Sequence, residues 1–152
     1  KLMEIKSHEY GKLSKEDNIN IDLESGKQYC DISNKLAISY YDKTNKLKGL
    51  EVLNITLNKL KNNSELKYHC LINIGCYYRW YDLLKSLNNY SASINSFVNA
   101  LEVAHFKNDK KKAAEAHLNI SINMTDTCKY KVAIEQGLAA VVLLQECIID
   151  NM

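Results

Sequence analysis

Apolar residues recur at intervals of three or four positions along most of this chain, which is the spacing of one face of an α-helix. The clearest case is the series of leucines at positions 50, 53, 57 and 60. Short polar stretches interrupt the pattern near residues 14–20, 43–45, 62–64, 88–89, 108–109 and 125–127. Within these stretches, Asn45, Ser64 and Asp109 are predicted N-caps of the helices that follow. Because connections of only a few residues bring neighbouring helices back antiparallel, the pattern predicts six helices in three pairs over residues 21–152. We expect residues 1–20 to form an upstream helix or a linker.

The composition agrees with an all-α fold. The 152 residues include no proline, which would end or kink a helix, and only five glycines. The formal net charge of +2 is too small to indicate a polyanionic partner, so nucleic acid is not favoured. No uninterrupted apolar run reaches the roughly eighteen residues of a membrane span. We therefore expect a cytoplasmic protein without membrane contact, and the first residue, which is not methionine, suggests part of a larger chain or complex.

No arrangement of residues typical of catalysis is present in the sequence. The four histidines lie far apart and outside known metal-binding motifs, and there is neither a glycine-rich phosphate loop nor a serine with a local histidine partner. Five cysteines without a CxxC motif predict small buried side chains in a reducing compartment. Cys70 and Cys76 would point to different sides of one helix, which disfavours a shared zinc ion. The expectation is a protein that is not an enzyme and has no cofactor or metal.

Two stretches share a pattern of small and aromatic residues, and a third stretch shows it more faintly. In each, a small residue within one helix is followed by a second helix with small residues where the two helices would cross. The copies begin near residues 30, 68 and 114, and their small residues are Ala37 and Gly49, then Gly75, Ser93 and Ala100, then Ser121, Ala133 and Ala140. Tyr130 supplies the aromatic at the start of the second helix in the last copy.

This pattern resembles the tetratricopeptide repeat, a helix-turn-helix unit of about 34 residues. The copies here are longer and less even, as in variant repeats of about forty residues. The resemblance covers residues 30–147, with repeats at about 30–63, 68–107 and 114–147. It implies helix hairpins stacked as a right-handed superhelix (an alpha-alpha superhelix).

The resemblance also implies a binding site. In tetratricopeptide proteins the first helix of each pair lines a concave groove that holds a peptide segment of a partner. The groove positions predicted to bind the peptide are Asn34, Tyr41, His69, Asn73, Cys76, Arg79, Trp80, Asn119, Ile122 and Asp126. Asn73 and Asn119 occupy the same repeat position and resemble the asparagine ladder of long-repeat members, since a carboxamide can donate to and accept from a peptide unit. Bonding of these asparagines to a neighbouring helix explains them equally well.

The resemblance therefore predicts a non-enzymatic scaffold for protein–protein interaction. The lysine that chaperone-binding members use for a carboxylate is not reproduced, because Asn34, Ile72 and Leu118 occupy that position. One alternative is a bacterial regulator of the quorum-sensing type, in which the repeats bind a small signalling peptide. Another is a subunit of an enzyme whose catalysis resides elsewhere. A basic cluster, Lys107 with residues 110–112, indicates either a solvated edge or a contact with an acidic partner.

Overall fold

The computed structural model describes residues 21–42, 45–82 and 87–152, except for the side chains at 42, 80–82 and 87–89. Within these ranges the chain forms six helices and no strand: α1 (Leu23–Asp42), α2 (Lys46–Leu60), α3 (Ser64–Asp82), α4 (Leu87–Phe106), α5 (Lys110–Asp126) and α6 (Tyr130–Asp150). The prediction of an all-α fold is confirmed. The helix or linker expected at residues 1–20 lies outside the described residues.

Two helix boundaries differ from the prediction. Asn88 and Asn89 were expected to separate two helices, but α4 begins at Leu87 and includes both asparagines in its first turn. The first four N–H groups of a helix have no intrahelical acceptor, so asparagine is tolerated there. The cap of α3 is also shifted by one residue, because Asn63 Oδ1 and not Ser64 accepts the N–H of Leu66, at 3.1 Å.

The chain divides into two compact units, Lys1–Tyr77 and Tyr78–Met152. In the first unit, α1 and α2 pack as an antiparallel pair, and the Thr56 hydroxyl donates to the Ser33 hydroxyl at 2.7 Å. The two backbones approach closely at Gly49, where a Cβ atom would collide with the Ala37 carbonyl and the Tyr77 hydroxyl. The core of this unit contains Tyr29, Cys30, Leu60, Leu66 and Cys70.

The second unit is built from α4, α5, α6 and the end of α3. Its core uses small residues, since alanines at positions 100, 104, 113, 114, 116, 133 and 140 are all buried. Small side chains allow close helix approach, and the Ser121 hydroxyl on α5 donates directly to the Ala133 carbonyl on α6 at 2.7 Å. Among the described side chains of this unit, Phe97 is large, apolar and completely buried.

Three helix connections close with the same backbone hydrogen bond, from an N–H to the carbonyl five residues earlier. The pairs are Asn45 to Tyr40 at 2.8 Å, Asp109 to Ala104 at 2.9 Å and Lys129 to Met124 at 2.8 Å. The residue preceding the donor in the last two turns is left-handed, with φ of 54° at Asn108 and 61° at Cys128. This geometry is the Schellman motif that ends many helices.

The donor of each of these turns also starts the next helix. Asn45 Oδ1 accepts the N–H of Lys48 at 3.4 Å, and Asp109 Oδ1 accepts the N–H of Lys112 at 3.0 Å. The sequence prediction that Asn45 and Asp109 are N-caps is confirmed. One residue thus closes one helix and opens the next, which fixes the length of the connection.

Candidate functional site

A pocket of about 300 Å³ lies between α1 and α3 in the first unit. It is lined by Lys27, Cys30, Asp31 and Asn34 from α1 and by His69 and Asn73 from α3. The α1 residues follow a spacing of three or four, and the two α3 residues are four apart, so each helix presents one face to the pocket. Three of the predicted peptide-binding residues, Asn34, His69 and Asn73, are brought together here.

The two asparagines of this pocket have unused hydrogen-bonding capacity. Asn34 and Asn73 are both half-buried, yet neither carboxamide makes a hydrogen bond within the described part of the chain. A carboxamide carries two N–H donors and a carbonyl acceptor. The pocket therefore presents donors and acceptors that are partly shielded from water and available to a ligand.

Charged residues at the edge of the pocket are paired with neighbours outside it. Lys27 Nζ lies 3.1 Å from Glu65 Oε1, and Asp31 Oδ2 lies 2.8 Å from Lys35 Nζ. All four side chains are at least a third exposed, so water screens these pairs and each contributes little to stability. Formal charge is balanced around the pocket, which favours a ligand without strong net charge.

Cys30, which lines the pocket, lies next to a second buried thiol, Cys70, and nothing in the sequence placed these two cysteines together. Cys30 Sγ and Cys70 Sγ lie 3.5 Å apart, and both residues are buried. The hydrogen bond with Cys30 and the burial raise the pKa of the Cys70 thiol above its ordinary value. The expectation of buried cysteines holds for this pair, but Cys128 is exposed and Cys76 and Cys147 are half-buried.

A second cluster of predicted binding residues lies in the second unit, around Arg79. Its Nε donates to Asn123 Oδ1 at 2.6 Å, and its Nη2 donates to the carbonyl and the Oδ1 of Asn119 at 2.8 and 3.1 Å. The guanidinium also lies over the Phe97 ring, 5.1 Å from its centroid. Asn123 is completely buried and donates through Nδ2 to the Ser93 hydroxyl at 2.7 Å.

The carboxamide of Asn119 is engaged at both ends, unlike that of Asn73. Its Nδ2 donates to the Glu115 carbonyl at 3.0 Å, while its Oδ1 accepts from Arg79. Of the two explanations left open by the sequence, these contacts favour bonding to a neighbouring helix for Asn119. Sequence reasoning missed Asn123, although its position in line with the apolar face of α5 at Ala116 and Ile120 was a signal.

None of the other predicted binding residues with a described side chain lines the pocket. In the first unit, Tyr41 packs edge-on against Tyr77, with ring centroids 5.9 Å apart, and Cys76 is half-buried. On α5 of the second unit, Ile122 is 39% exposed and Asp126 is exposed. The side chain of Trp80 lies outside the described residues.

The basic cluster before and at the start of α5 is partly neutralised within the second unit. Lys110 Nζ lies 2.8 Å from Asp150 Oδ2 and 3.7 Å from Glu146 Oε2, and Lys112 pairs with Asp109 at 3.2 Å. Lys110 therefore links the start of α5 to the end of α6 through these ion pairs. Because Lys110 is already paired, it is not a free charge for the acidic partner that the sequence left open as a second explanation of the cluster.

Helix α6 is the most apolar of the described helices and one of the most exposed. An 18-residue window of α6 has a mean hydropathy of 1.7, and only 11% of that window is buried. By length and composition alone, such a helix could cross a membrane, although its sequence contains no uninterrupted apolar run of that length. Core helices of soluble proteins pass the same test, so this is weak evidence for a membrane span.

The chain was also compared with known proteins. No family model, curated protein or solved structure matches it. The resemblance to tetratricopeptide repeats therefore stays a prediction.

Proposed function

We propose that this chain is a non-enzymatic protein-interaction module that binds an extended peptide segment of a partner through the pocket between α1 and α3. One observation carries the proposal. The carboxamides of Asn34 and Asn73 lie on opposite walls of that pocket and make no hydrogen bond within the described part of the chain. An extended peptide exposes N–H and C=O groups in alternation, and a carboxamide satisfies either. Half-buried amides without a protein partner are suited to exchange water for such a ligand.

The size and charge of the pocket support a limited contact with the peptide. A volume of about 300 Å³ is at the low end of ligand sites and suits one or two residues of an extended chain. His69 adds an imidazole to the same wall as Asn73, which favours a polar residue of the ligand. Because the edge charges are paired, we expect binding to depend only weakly on salt.

The proposal that the chain contains tetratricopeptide-like repeats is supported by two contacts found in two hairpins, α1–α2 and α5–α6. The small residues assigned to the same two repeat positions touch in both hairpins, as Ala37 with Gly49 and as Ser121 with Ala133. The turn of each hairpin is closed by the same bond, from Asn45 to Tyr40 and from Lys129 to Met124, again at equal repeat positions. The superhelical stacking of repeats is a proposal from the sequence pattern.

The test begins with selection of peptides from a random display library on the purified chain. The affinity of the best peptide is then measured for the wild type and for the double variant Asn34→Ala with Asn73→Ala. We expect at least a tenfold loss of affinity, on the order of the 1.4 kcal/mol expected for one or two lost hydrogen bonds, with an unchanged melting temperature. The matched control is Asn54→Ala with Asn58→Ala, two exposed asparagines on α2, which we expect to bind as the wild type does.

Three outcomes would overturn the proposal. One is a library from which no peptide is enriched. Another is equal loss of folding and binding in the pocket variant, which would show that the asparagines are structural. The third is turnover of a substrate by the purified chain alone, which would replace a binding module with an enzyme.

A further inference from the structure

Helices α1 and α3 of the first unit meet at two successive pairs of residues, each pair forty positions apart in the sequence. In the first pair, Gly26 on α1 is buried against Leu66 on α3, and a Cβ atom on the glycine would collide with the leucine side chain. In the second pair, one turn further along both helices, Cys30 Sγ lies 3.5 Å from Cys70 Sγ. The missing side chain at Gly26 therefore allows the close approach at which the two thiols touch.

The two thiols have different surroundings. Both belong to the core cluster that contains Tyr29, Leu60 and Leu66. Cys30 also lines the pocket of about 300 Å³ between α1 and α3, whereas Cys70 does not. A pocket of this volume has room for several molecules as small as water. A small solute can therefore approach Cys30 from the pocket, and Cys70 lies behind it.

We propose that Cys30 and Cys70 form a peroxide-reactive thiol pair. Hydrogen peroxide that enters the pocket oxidises Cys30, and Cys70 then converts the product to a disulfide that joins α1 to α3. This inference is independent of the peptide-binding proposal, because it concerns the chemistry of the two sulfur atoms and not what else the pocket holds. It gives the pair a role beyond that of small apolar core residues.

The reaction has two steps, and one molecule of hydrogen peroxide takes up both electrons. The Cys30 thiolate attacks a peroxide oxygen and the O–O bond breaks, which leaves a sulfenic acid on Cys30. The departing hydroxide takes up the proton that Cys30 released and becomes water. The Cys70 sulfur then attacks the sulfenic sulfur, so that the S–S bond forms as the S–O bond breaks. The hydroxyl group leaves with the Cys70 proton as a second water.

The contact between the thiols favours this order of steps. The thiolate is the reactive form of cysteine, and the hydrogen bond from Cys70 lowers the pKa of the Cys30 thiol against the opposing effect of burial. The same hydrogen bond and burial raise the pKa of the Cys70 thiol, so Cys70 keeps its proton until the second step. The sulfur atoms lie about 1.5 Å further apart than in a disulfide, so a small approach of the side chains completes the bond.

Peptide mapping by mass spectrometry tests the proposal on the full chain. The reduced, folded protein is treated with hydrogen peroxide at low protein concentration, so that the exposed Cys128 does not link two chains. We expect the Cys30–Cys70 link to be the predominant disulfide, and we expect dithiothreitol to restore both thiols. The matched control is Cys76→Ala, which removes another cysteine of α3 that does not line the pocket and is expected to form the same link.

Thermal unfolding gives a second measurement on the same samples. The link closes a loop of about forty residues in the unfolded chain, which restricts the unfolded state more than the folded state. We therefore expect oxidation to raise the melting temperature of the first unit by about 5–10 °C in the wild type and in Cys76→Ala. In Cys70→Ala, which has no second thiol at this position, no rise is expected.

Single variants test which cysteine reacts first. In Cys70→Ala the sulfenic acid on Cys30 has no neighbouring thiol, so dimedone, which reacts with sulfenic acids, is expected to label Cys30 about tenfold more than in the wild type. In Cys30→Ala we expect no label on Cys70, because this residue does not line the pocket. Circular dichroism checks that each variant folds, and the map of the wild type tests the pair without any substitution.

The proposal fails on any of three results. In the first, Cys30 and Cys70 stay reduced in the folded protein and link only after urea has unfolded it, which would leave them as core residues alone. In the second, the predominant disulfide joins other cysteines. In the third, dimedone labels Cys70 in Cys30→Ala but does not label Cys30 in Cys70→Ala, which would contradict attack from the pocket.

Discussion

Replacement of Arg79 by methionine tests whether the second unit is held together by this side chain. Methionine keeps much of the apolar stem but removes every donor. Asn123 Oδ1, which is completely buried, would lose the donor that now lies 2.6 Å away. A buried acceptor without a partner costs about 1–3 kcal/mol.

Two smaller losses add to this one. The hydrogen bonds from Arg79 to Asn119 contribute about 1 kcal/mol, because Asn119 is half-buried and water can replace the guanidinium. The cation–π contact with Phe97 contributes about 0.5–1 kcal/mol. Since contributions within one network do not add fully, we expect Arg79→Met to lower the free energy of unfolding by about 2–4 kcal/mol.

Urea denaturation followed by circular dichroism measures this effect. Arg79→Lys is the matched control for charge, and we expect an intermediate loss because one ammonium cannot bond both asparagines as the planar guanidinium does. In a double-mutant cycle with Asn123→Leu, the coupling energy is expected to be about 1–2 kcal/mol. A change within about 0.5 kcal/mol in Arg79→Met, as for an ordinary surface residue, would refute the structural role.

Two further predictions concern glycines and a helix cap. Gly49→Ala is expected to destabilise the first unit by about 1–3 kcal/mol, because the new Cβ meets a backbone carbonyl of α1. In α6, the new Cβ of Gly137→Ala makes an ordinary contact, so this variant is expected to stabilise the second unit by about 0.5–1 kcal/mol. Thermal unfolding of both variants checks this, and shifts in the same direction would contradict the assigned packing. Burial of Asp109 opposes ionisation, but its contacts with Lys112 hold the pKa of its carboxyl below the ordinary value. The ionised carboxyl therefore contributes to folding stability above the unfolded-state pKa, and this contribution is lost as the pH falls through the folded-state pKa. Asp109→Asn keeps a capping oxygen but removes the charge. The wild type is therefore expected to have a higher urea midpoint than this variant at neutral pH and the same midpoint in acid. A difference in midpoint that does not change with pH would contradict this reasoning.

Local signals in the sequence predicted most of the secondary structure. The absence of proline and the three-to-four spacing of apolar residues indicated helices, and Asn45 and Asp109 were recognisable as caps because capping depends on residues only three positions apart. The boundary at Asn88 and Asn89 was wrong because capping residues are also compatible with a first turn.

The candidate sites were predictable only in part, because they depend on which residues from distant parts of the chain meet. The repeat pattern selected Asn34 and Asn73 in the pocket, but it gave Asn119 the same role although Arg79 occupies its carboxamide. The approach of Cys30 to Cys70, forty residues apart, has no local signal. The apolar residues of α6 were visible in the sequence, but their exposure depends on the packing of its other face.

The left-handed turn between α5 and α6 has a practical consequence for labelling. Exposed turns usually accept inserted residues and move independently of the helices beside them. In this turn the N–H groups of Thr127, Cys128 and Lys129 are all bonded to carbonyls of α5, so an added residue would open the turn. Cys128 nevertheless carries the most exposed thiol of the chain. A spin label or fluorophore attached there would follow the α5–α6 pair as a rigid body, and would report its tumbling and not local loop motion.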